Sequence, residues 1–325
     1  MRLSPERATR DSEPMRILNY QRMSTEDGPG LRTTLFVKGC PLSCAWCHNP
    51  ESISREISVE WVGVRCIGCH TCENTCENGG IVPETDRIII DAEICARCLK
   101  CVEACPTGAL EKRGEDVPVE RIFEELIKDK AYFGAEGGVT VSGGEALLQS
   151  EETAILLKML KEAGIRTAVD TSGFCKKENL ERLLPYTDTV LYDLKLAESS
   201  RHEEWTGVPN SLILENFEYL TKLKNTSRPD LGLWVRTPII PGATDDEKNI
   251  RAIALIVRDR ADRWELCAFN NLCRDKYERE DRDWIFRDSG LMTREQMESL
   301  VAAALVEGAA NVRYTGKTRL EEKNA

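Results

Sequence analysis

The stretch Thr34-Leu-Phe-Val-Lys38-Gly-Cys40-Pro-Leu-Ser-Cys44-Ala-Trp-Cys47 joins a short apolar run to three closely spaced cysteines. The run Thr34–Lys38 predicts a buried strand. The cysteines that follow have the spacing C-x3-C-x2-C, which offers three thiolates and no fourth. A [4Fe-4S] cluster held by three cysteines keeps one iron without a protein ligand. We therefore predict that chemistry takes place at this loop.

Eight further cysteines form two sets with the spacing of bacterial ferredoxins. In that spacing three cysteines of one set hold one cluster, and the fourth crosses over to the other cluster. We therefore predict two further clusters, one held by Cys66, Cys69, Cys72 and Cys105, and one held by Cys95, Cys98, Cys101 and Cys76. Both clusters would be fully ligated, so they can pass electrons but cannot bind substrate.

Disulfides and zinc are the alternatives for these cysteines. Disulfide frameworks concentrate in small secreted domains, whereas this chain has 325 residues and no apolar signal segment at its charged start. Zinc sites use pairs of cysteines separated by a longer spacer, not four cysteines within eleven residues. The remaining Cys175, Cys267 and Cys273 have no cluster spacing, and we interpret them as small buried side chains.

The composition indicates a water-soluble protein without a nucleic-acid partner. The chain has 44 basic and 55 acidic residues, for a formal charge of −11, and no basic stripe. No apolar run approaches the roughly 20 residues of a membrane helix. This many cluster thiolates predicts a reducing, anaerobic cytoplasm. Residues 1–14 are charged, and we predict that they are disordered.

The rest of the chain alternates between strand and helix patterns. Strands are predicted at 34–38, 139–142, 167–170, 189–194, 233–237 and 265–269, and helices include 119–132, 153–163 and 247–257. This alternation predicts an α/β fold with a mainly parallel sheet. Six units are fewer than the eight of a closed barrel, which favours a partial (βα)6 barrel with ligands at the carboxyl ends of its strands. The cysteine-rich stretch 53–112 would be a ferredoxin-like iron–sulfur module, inserted between residues 15–52 and 113–325 of the barrel.

Together these motifs resemble the radical S-adenosylmethionine enzymes and, more specifically, the glycyl radical enzyme activating enzymes such as the pyruvate formate-lyase activase. The resemblance runs from Ile17 to about Gly316. It rests on the cysteine loop and on six further segments in order: Asp27-Gly-Pro-Gly30-Leu-Arg32-Thr, Cys47-His48-Asn49, Val141-Ser-Gly143-Gly144-Glu145-Ala146, Asp170-Thr-Ser-Gly173, Tyr192-Asp193-Leu194-Lys195 and Pro241-Gly-Ala-Thr-Asp245.

The resemblance implies a set of cofactor-binding residues. The open iron at Cys40, Cys44 and Cys47 would take the amino and carboxylate groups of S-adenosyl-L-methionine. One electron would break the sulfonium C–S bond and give a 5′-deoxyadenosyl radical. Asp193 and Lys195, two residues apart on one strand, would face the same cavity. There Lys195 would pair with the ligand carboxylate. The other contacts would come from Trp46, His48, Gly143, Gly144, Glu145, Asp170, Thr171, Ser172, Asp193, Leu194, Arg236 and Asn270.

One of these contacts departs from the family pattern, and a further segment is implied to bind the partner protein. The pyruvate formate-lyase activase ends its sixth strand in Pro-Tyr-His, where this chain has Ala268-Phe269-Asn270, so Asn270 can hydrogen-bond the cofactor but cannot titrate. A tight turn that includes Asp27, Gly28 and Gly30 is expected beside the cysteine loop. There it would help to receive the partner protein, although these residues also suit a simple β-turn.

The function implied is that of an oxidoreductase that abstracts a hydrogen from a backbone glycine of a partner enzyme, with a flavodoxin or ferredoxin as electron donor. The alternatives are a radical S-adenosylmethionine enzyme acting on a small molecule or peptide, and a ferredoxin-like electron carrier. The open cysteine site with its Gly-Gly-Glu strand argues against the electron carrier. Consumption of S-adenosylmethionine would distinguish a radical S-adenosylmethionine enzyme from an electron carrier.

The iron content tests the cysteine assignment. Eleven cysteines are arranged for three clusters, so protein reconstituted without oxygen should hold about twelve irons. Replacing Cys40, Cys44 and Cys47 together by alanine should remove one cluster and leave two, measured by iron and sulfide analysis. Zinc at the ferredoxin-spaced cysteines, or a single cluster in the intact protein, would contradict the assignment.

Overall fold

The computed structural model describes residues 13–319, and the predicted tail 1–14 lies outside this range except for Glu13 and Pro14. Its strands are β1 (Met15–Ser24), β2 (Arg32–Val37), β3 (Ser58–Trp61), β4 (Ile81–Pro83), β5 (Ile88–Ile90), β6 (Leu110–Arg113), β7 (Glu115–Val117), β8 (Gly138–Gly143), β9 (Arg166–Thr171), β10 (Thr189–Asp193), β11 (Gly232–Ile239), β12 (Arg263–Ala268) and β13 (Val312–Thr315).

Nine of these strands form one sheet in the order β7-β1-β2-β8-β9-β10-β11-β12-β13. The seven strands from β2 to β13 are parallel, whereas β1 and β7 are antiparallel to their neighbours. The six predicted strands are all present. The sequence analysis missed β1, β7 and β13 of this sheet. The edge strands β7 and β13 are short, and their residues are exposed or half-buried, so they carry little apolar pattern. β1 has a partner on each side, but most of its residues beyond Ile17 are also exposed or half-buried.

Within residues 13–319 the chain forms ten α-helices. They are α1 (Thr71–Thr75), α2 (Lys100–Ala104), α3 (Val119–Leu126), α4 (Ser150–Glu162), α5 (Lys177–Leu183), α6 (Ser199–Thr206), α7 (Ser211–Thr226), α8 (Glu247–Val257), α9 (Arg274–Arg279) and α10 (Arg294–Val306). The three predicted helices correspond to α3, α4 and α8. The first of them continues beyond Leu126 as a 3₁₀ helix, Ile127–Tyr132.

The alternation of side chains along the strands separates an apolar face from a polar one. Leu35, Val141, Val169 and Val235 lie in the main hydrophobic core, where the helices cover the sheet. Alternate residues of a strand point to opposite faces, so the other face carries the polar residues between them. On that face lie Thr34, Thr140, Ser142, Asp170, Asp193 and Arg236.

Residues 58–113 contribute two small sheets outside the main one, in which β3 pairs with β6 and β4 pairs with β5. They have a separate apolar cluster, formed by Val59, Ile81, Cys101 and Leu110. Within residues 13–319, no helix has the length and apolar character needed to cross a membrane.

Gly138, at the start of β8, has no room for a side chain. A Cβ atom there would lie 1.9 Å from the Arg166 carbonyl oxygen of β9. We expect Gly138→Ala to push apart two central strands and to destabilise the protein by roughly 1–3 kcal/mol or more, the usual range for overpacking. Thermal unfolding measures the effect.

Gly290→Ala is the matched control for this substitution. The nearest atom to a Cβ at Gly290 is Arg319 Nη1, at 3.8 Å, so the added methyl group should leave the melting temperature unchanged. Equal melting temperatures for the two variants would contradict the packing of β8 against β9.

Candidate active site

The three cysteines of the C-x3-C-x2-C loop lie in an irregular segment just after β2, and each has a free thiol. Burial raises the pKa of Cys40, Cys44 and Cys47, and the thiolates of neighbouring cysteines add to the effect at Cys40 and Cys47. At Cys44 the positive charge of Lys195 opposes this increase in pKa. Buried thiols become thiolates most readily beside a bound metal cation, so these three side chains fit an iron centre.

The end of α6 holds the first part of this loop. The Ser43 N–H donates to the Thr206 carbonyl at 2.8 Å. The Ala45 N–H donates to the Trp205 carbonyl at 3.0 Å. An irregular loop has no regular partners of its own for these groups, so the helix end takes the place of a neighbouring strand.

Residues 271–287, which connect β12 with α10 and which we call the strap, hold the rest of the loop. The Tyr277 hydroxyl donates to the Cys47 carbonyl at 2.8 Å. Trp284 Nε1 donates to the Ala45 carbonyl at 3.0 Å. The two strap residues therefore fix the direction of two carbonyl groups in the cysteine loop.

Trp46 lies among other aromatic rings. It is only 4% exposed, and its ring centroid lies 6.1 Å from that of Trp205. Trp205 in turn lies 5.9 Å from Phe286 of the strap. The indole thus belongs to the hydrophobic core, and its predicted contact with adenine stays a prediction.

Gly143 and Gly144 bring the end of β8 against the start of the cysteine loop. A Cβ at Gly143 would lie 2.4 Å from the Val37 nitrogen, and one at Gly144 would lie 2.2 Å from the Gly39 carbonyl oxygen. The Gly144 N–H donates to the Val37 carbonyl at 2.8 Å. The group that these glycines approach closely is the chain's own backbone, and their predicted contact with the ligand stays a prediction.

Glu145 is 1% exposed, and its carboxylate organises the turn after β9. Oε1 accepts from the Leu147 N–H at 3.1 Å and from Thr171 Oγ1 at 2.7 Å. Oε2 accepts from the N–H and the hydroxyl of Ser172, at 2.9 and 2.6 Å. A carboxylate has about four acceptor positions, and all four are used. A ligand amino group would have to replace one of these donors.

Several charged side chains at the ends of strands β9, β10 and β11 lie on the polar face of the sheet. Asp170 Oδ2 accepts from Ser142 Oγ at 2.7 Å and lies 3.3 Å from Arg236 Nη1. Burial and the charge of Asp193 raise the pKa of Asp170, and Arg236 opposes them. Lys195 Nζ lies 2.5 Å from Asp193 Oδ2. Asp193 and Lys195 therefore lie on the same side and form an ion pair, and their contacts with the cofactor stay a prediction.

Leu194 lies between these two charged residues and contributes through its backbone. Its N–H donates to the Arg236 carbonyl at 2.9 Å, and its carbonyl accepts from Thr237 Oγ1 at 2.6 Å. Its side chain is buried in the core. These bonds fix the path of the chain between Asp193 and Lys195.

His48 and Asn270 lie together on the far side of the cysteine loop. The His48 ring makes an edge contact with Phe269, with centroids 6.4 Å apart. Burial and the charge of Lys276 lower the pKa of His48, whereas a hydrogen bond to the Asn270 backbone opposes the change. Asn270 Oδ1 accepts from the Leu272 N–H at 3.2 Å.

The turn at Asp27 precedes β2, whereas the cysteine loop follows that strand. The turn contacts β2 at Thr34, and its predicted position beside the cysteine loop stays a prediction. The turn folds inward, because Asp27 Oδ2 accepts from the hydroxyls of Ser24 and Thr34 at 2.6 and 2.7 Å. The Asp27 carboxylate also raises the pKa of Asp170. The spacing of residues in the sequence could not predict this inward fold, because the fold depends on the distant strand β8.

Gly28 and Gly30 give this turn its shape, with φ of 119° and 68°. A Cβ at Gly30 would lie 2.4 Å from the Gly137 nitrogen. The buried Arg32 completes the turn, donating to the Pro29 carbonyl at 3.0 Å and to Thr140 Oγ1 at 2.6 Å. Arg32 was quoted in the motif but not recognised as its anchor.

The two ferredoxin-spaced sets follow the same backbone path. In each, a short helix (α1 or α2) begins one residue before the third cysteine and ends just before the fourth. The residue before each helix is left-handed, His70 with φ of 56° and Leu99 with φ of 63°. Positive φ is uncommon outside glycine, so its recurrence at the same place marks a structural repeat.

Thiols of the two sets are brought together in the crossed arrangement. One cavity is lined by Cys66, Cys69, Cys72 and Cys105, together with Trp61 and Pro106. Burial raises the pKa of Cys72, and the thiolates of Cys105 and Cys66 raise it further. The first group of four predicted ligands therefore surrounds a common space.

The second group shows the same crossing. Burial raises the pKa of Cys101 to about 11, with contributions from Cys95 and Cys76. Across the described residues 13–319, no three His, Cys, Asp or Glu side chains are grouped around a point that could hold one metal ion. The thiolates of a cubane bind different irons and lie farther apart than the ligands of one ion, so this spacing leaves the cluster prediction open.

Of the three unassigned cysteines, Cys175 and Cys273 are buried as predicted, and Cys267 is half-buried. Cys273 Sγ lies 3.8 Å from the Cys47 carbonyl oxygen. The strap was missed altogether by sequence reasoning. Its only sequence signal is the presence of Tyr277, Trp284 and Phe286 in a segment that is otherwise highly charged.

Comparisons with known proteins agree with this geometry. Residues 34–253 match the Radical SAM superfamily. The isethionate sulfite-lyase activating enzyme of Nitratidesulfovibrio vulgaris is 37% identical over 271 residues, which are 82% of this chain and 87% of that protein. The (2S)-3-sulfopropanediol dehydratase activating enzyme of Klebsiella oxytoca is 38% identical over 276 residues, 82% of this chain and 85% of that protein.

Among solved structures, Streptococcus suis SuiB bound to its precursor peptide SuiA shares the fold. Its TM-score is 0.51 at 15% identity, and the match covers 85% of this chain and 46% of SuiB. The chain belongs to the radical SAM superfamily and, within it, to the activating enzymes of glycyl radical enzymes. It is therefore an enzyme whose reaction is the abstraction of hydrogen from a glycine of another protein.

The saturated Glu145 carboxylate gives a stability prediction. Glu145→Gln would turn one acceptor oxygen into an amide donor facing buried donors, and each unsatisfied group costs about 1–3 kcal/mol. We expect thermal unfolding to show a loss of that size at pH 7. Glu178→Gln, at an exposed position of α5, should have little effect and serves as the control.

The same carboxylate should make the effect depend on pH. Burial raises the pKa of Glu145 although four hydrogen bonds oppose the change, so its ionised form is less favoured in the fold than in the unfolded chain. Its contribution to stability is therefore greatest below the unfolded pKa and falls as pH rises through the folded pKa. A difference between Glu145→Gln and the parent protein that does not vary from pH 4 to pH 8 would contradict this sign.

Proposed function

We propose that this activating enzyme holds three [4Fe-4S] clusters, one at the three-cysteine loop and two in a ferredoxin-like module. The loop would belong to a partial (βα)6 barrel made of residues 15–52 and 113–325, and the module would be residues 53–112. The separate sheets and the separate apolar cluster of residues 58–113 support this division. The crossed grouping of Cys105 with Cys72, and of Cys76 with Cys101, supports two clusters there.

The observation that carries the proposed site is the loop of three free cysteines beside the charged strand ends. The loop follows β2, and the charge of Lys195 reaches both Cys44 and Cys40. Cys40, Cys44 and Cys47 would hold the cluster, which would supply the electron needed to cleave S-adenosylmethionine for hydrogen abstraction from glycine. The protein's part is to hold the ligand and to exclude water.

Lys195 would hold the methionine carboxylate. It is 8% exposed. Burial alone would lower its pKa, but Asp193 and the cysteines reverse the change and raise the pKa above its usual value. The ammonium group therefore stays charged, and within the part of the chain that the structure describes it bonds only to Asp193, which leaves two of its three donors unused. A buried cation with unused donors suits an anionic ligand group.

The other contacts would divide between the two ends of the ligand. Asp170, Thr171 and Ser172 would take the hydroxyls or the carboxylate, and Glu145 would hold Thr171 and Ser172 in place. Arg236 would keep Asp170 oriented. The remaining contacts would come from Trp46, His48, Gly143, Gly144, Asp193, Leu194 and Asn270.

The module would relay electrons from a flavodoxin or ferredoxin to the site, since fully ligated clusters can exchange electrons but cannot bind substrate. The turn at Asp27, Gly28 and Gly30 would meet the glycine-bearing loop of the partner, because Asp27 accepts hydrogen bonds from Thr34 and Thr140 on the polar face of the sheet. We place the protein in an anaerobic cytoplasm, where cluster thiolates persist. Two relatives with nearly equal identity are named for different partner enzymes, so the partner is proposed only as a glycyl radical enzyme.

Electron paramagnetic resonance tests the function directly. The reconstituted protein is mixed under argon with S-adenosylmethionine, dithionite and a purified isethionate sulfite-lyase or sulfopropanediol dehydratase. A glycyl radical signal on the partner is expected. Cys44→Ala should abolish both the signal and the release of 5′-deoxyadenosine.

Cys98→Ala is the matched cysteine control, because it lies in the module. It should retain some cleavage, since dithionite can reduce the site cluster directly. A folded Cys98→Ala protein that keeps the site cluster but is inactive would contradict the relay role of the module.

Lys195→Ala tests the ligand contact. Losing the ammonium would leave a ligand carboxylate, and Asp193, without a partner in a poorly hydrated place. We expect the dissociation constant for S-adenosylmethionine to rise roughly ten- to a thousandfold, measured by isothermal titration, with all three clusters retained. Lys161→Ala, which removes the exposed partner of Asp188, is the control. Binding within a factor of two of the parent would show that Lys195 does not hold the ligand.

A further inference from the structure

The strap packs its aromatic side chains against the carbonyl side of the cysteine loop. Tyr277 and Trp284 are 4% and 6% exposed. Their rings are stacked, with centroids 4.9 Å apart and planes at 10°. This stacking restricts the Tyr277 side chain to one rotamer, which keeps its hydroxyl at the Cys47 carbonyl.

A neighbouring strap residue holds the chain just beyond Cys47. Lys276 Nζ donates to Asn49 Oδ1 at 2.7 Å and to Glu51 Oε1 at 2.8 Å. Glu51 is itself buried, and its carbonyl accepts from the buried Lys38. The strap therefore fixes the last cysteine and the residues that follow it as one unit.

We propose that Tyr277 is a positioning residue that sets how easily the cluster at Cys40, Cys44 and Cys47 is reduced. The inference rests on the proposed function, because it concerns the cluster assigned to this loop. The reduction potential of an iron–sulfur cluster depends on its hydrogen bonds and on its exposure to solvent, and groups behind the ligands orient them. Tyr277 would act on both through its hydrogen bond to the Cys47 carbonyl.

The direction of the effect follows from the charge on that carbonyl. The hydroxyl proton offsets the negative end of the carbonyl dipole, which would otherwise oppose an added electron nearby. Without the hydroxyl, reduction becomes less favourable and the potential more negative. The hydrogen bond is present in both oxidation states, so only the difference in its strength between them shifts the potential. The strength of one ordinary hydrogen bond sets the upper limit, roughly tenfold in the reduction equilibrium. At about 59 mV per tenfold for one electron, the shift is at most roughly 60 mV.

The test compares Tyr277→Phe with Tyr192→Phe. Tyr192 is a fully buried tyrosine whose hydroxyl donates to the Ile213 carbonyl at 2.6 Å, away from the cysteine loop. Both variants lose one buried hydroxyl and keep the ring. A redox titration followed by electron paramagnetic resonance reports the site cluster as the signal that changes on adding S-adenosylmethionine. We expect a more negative potential for Tyr277→Phe only.

A second measurement uses the protein without its clusters. Alkylation of Cys47 by iodoacetamide, followed by peptide mass spectrometry, should be roughly three- to tenfold faster in Tyr277→Phe, because the loop opens more often when that hydrogen bond is lost. Tyr192→Phe should react at the parent rate. Trp284→Phe, which removes the donor to the Ala45 carbonyl and keeps an aromatic ring, should also accelerate the reaction.

The outcomes separate this inference from the proposed function. An unchanged potential in Tyr277→Phe, or an equal change in Tyr192→Phe, overturns the positioning role. If the parent protein shows no cluster signal that responds to S-adenosylmethionine, the proposed function fails. The alkylation rates alone then test whether Tyr277 positions the loop at Cys47. Equal rates in the parent and in Tyr277→Phe then overturn the inference.

Discussion

The three-cysteine loop has no regular secondary structure, so several of its backbone groups take their partners from elsewhere in the chain. The end of α6 receives the N–H groups of Ser43 and Ala45, and the strap supplies donors for the carbonyls of Ala45 and Cys47. A buried backbone group without a partner costs free energy comparable to a lost hydrogen bond. The positions of α6 and of the strap are therefore tied to the loop, and the site forms only when segments more than 150 residues apart have come together.

The polar face of the sheet imposes a second constraint, since charged groups there must be paired. Asp170 meets Arg236, Asp193 meets Lys195, and Glu145 is surrounded by four donors. A buried charge without a partner is strongly destabilising, which links the ends of β8 to β11 in one arrangement before any ligand arrives. The ligand would then enter a site in which most orientations are already set, and this lowers the entropy lost on binding.

Residues 58–113 are organised differently. Their apolar cluster is small, and half-buried cysteines pack against it. The two half-sites repeat the same left-handed residue and the same short helix. So small a core supplies little burial, and small domains of this kind usually depend on metals or disulfides for stability. The geometry of the cysteines therefore matters more to this part of the chain than its apolar surface.

The six central strands, three of the helices and the shared side of Asp193 and Lys195 could be predicted from the chain alone. These features depend on residues close together in the chain, where the periods of strands and helices act directly. The tertiary structure added that Asp193 and Lys195 form an ion pair, that the Asp27 turn folds against Thr34, that the four acceptor positions of Glu145 are used and that Trp46 is in the core. It alone showed that Tyr277 reaches Cys47. The contacts of Glu145, Trp46 and Tyr277 join distant segments, and the local pattern carries no signal for them because packing, not spacing, brings the partners together.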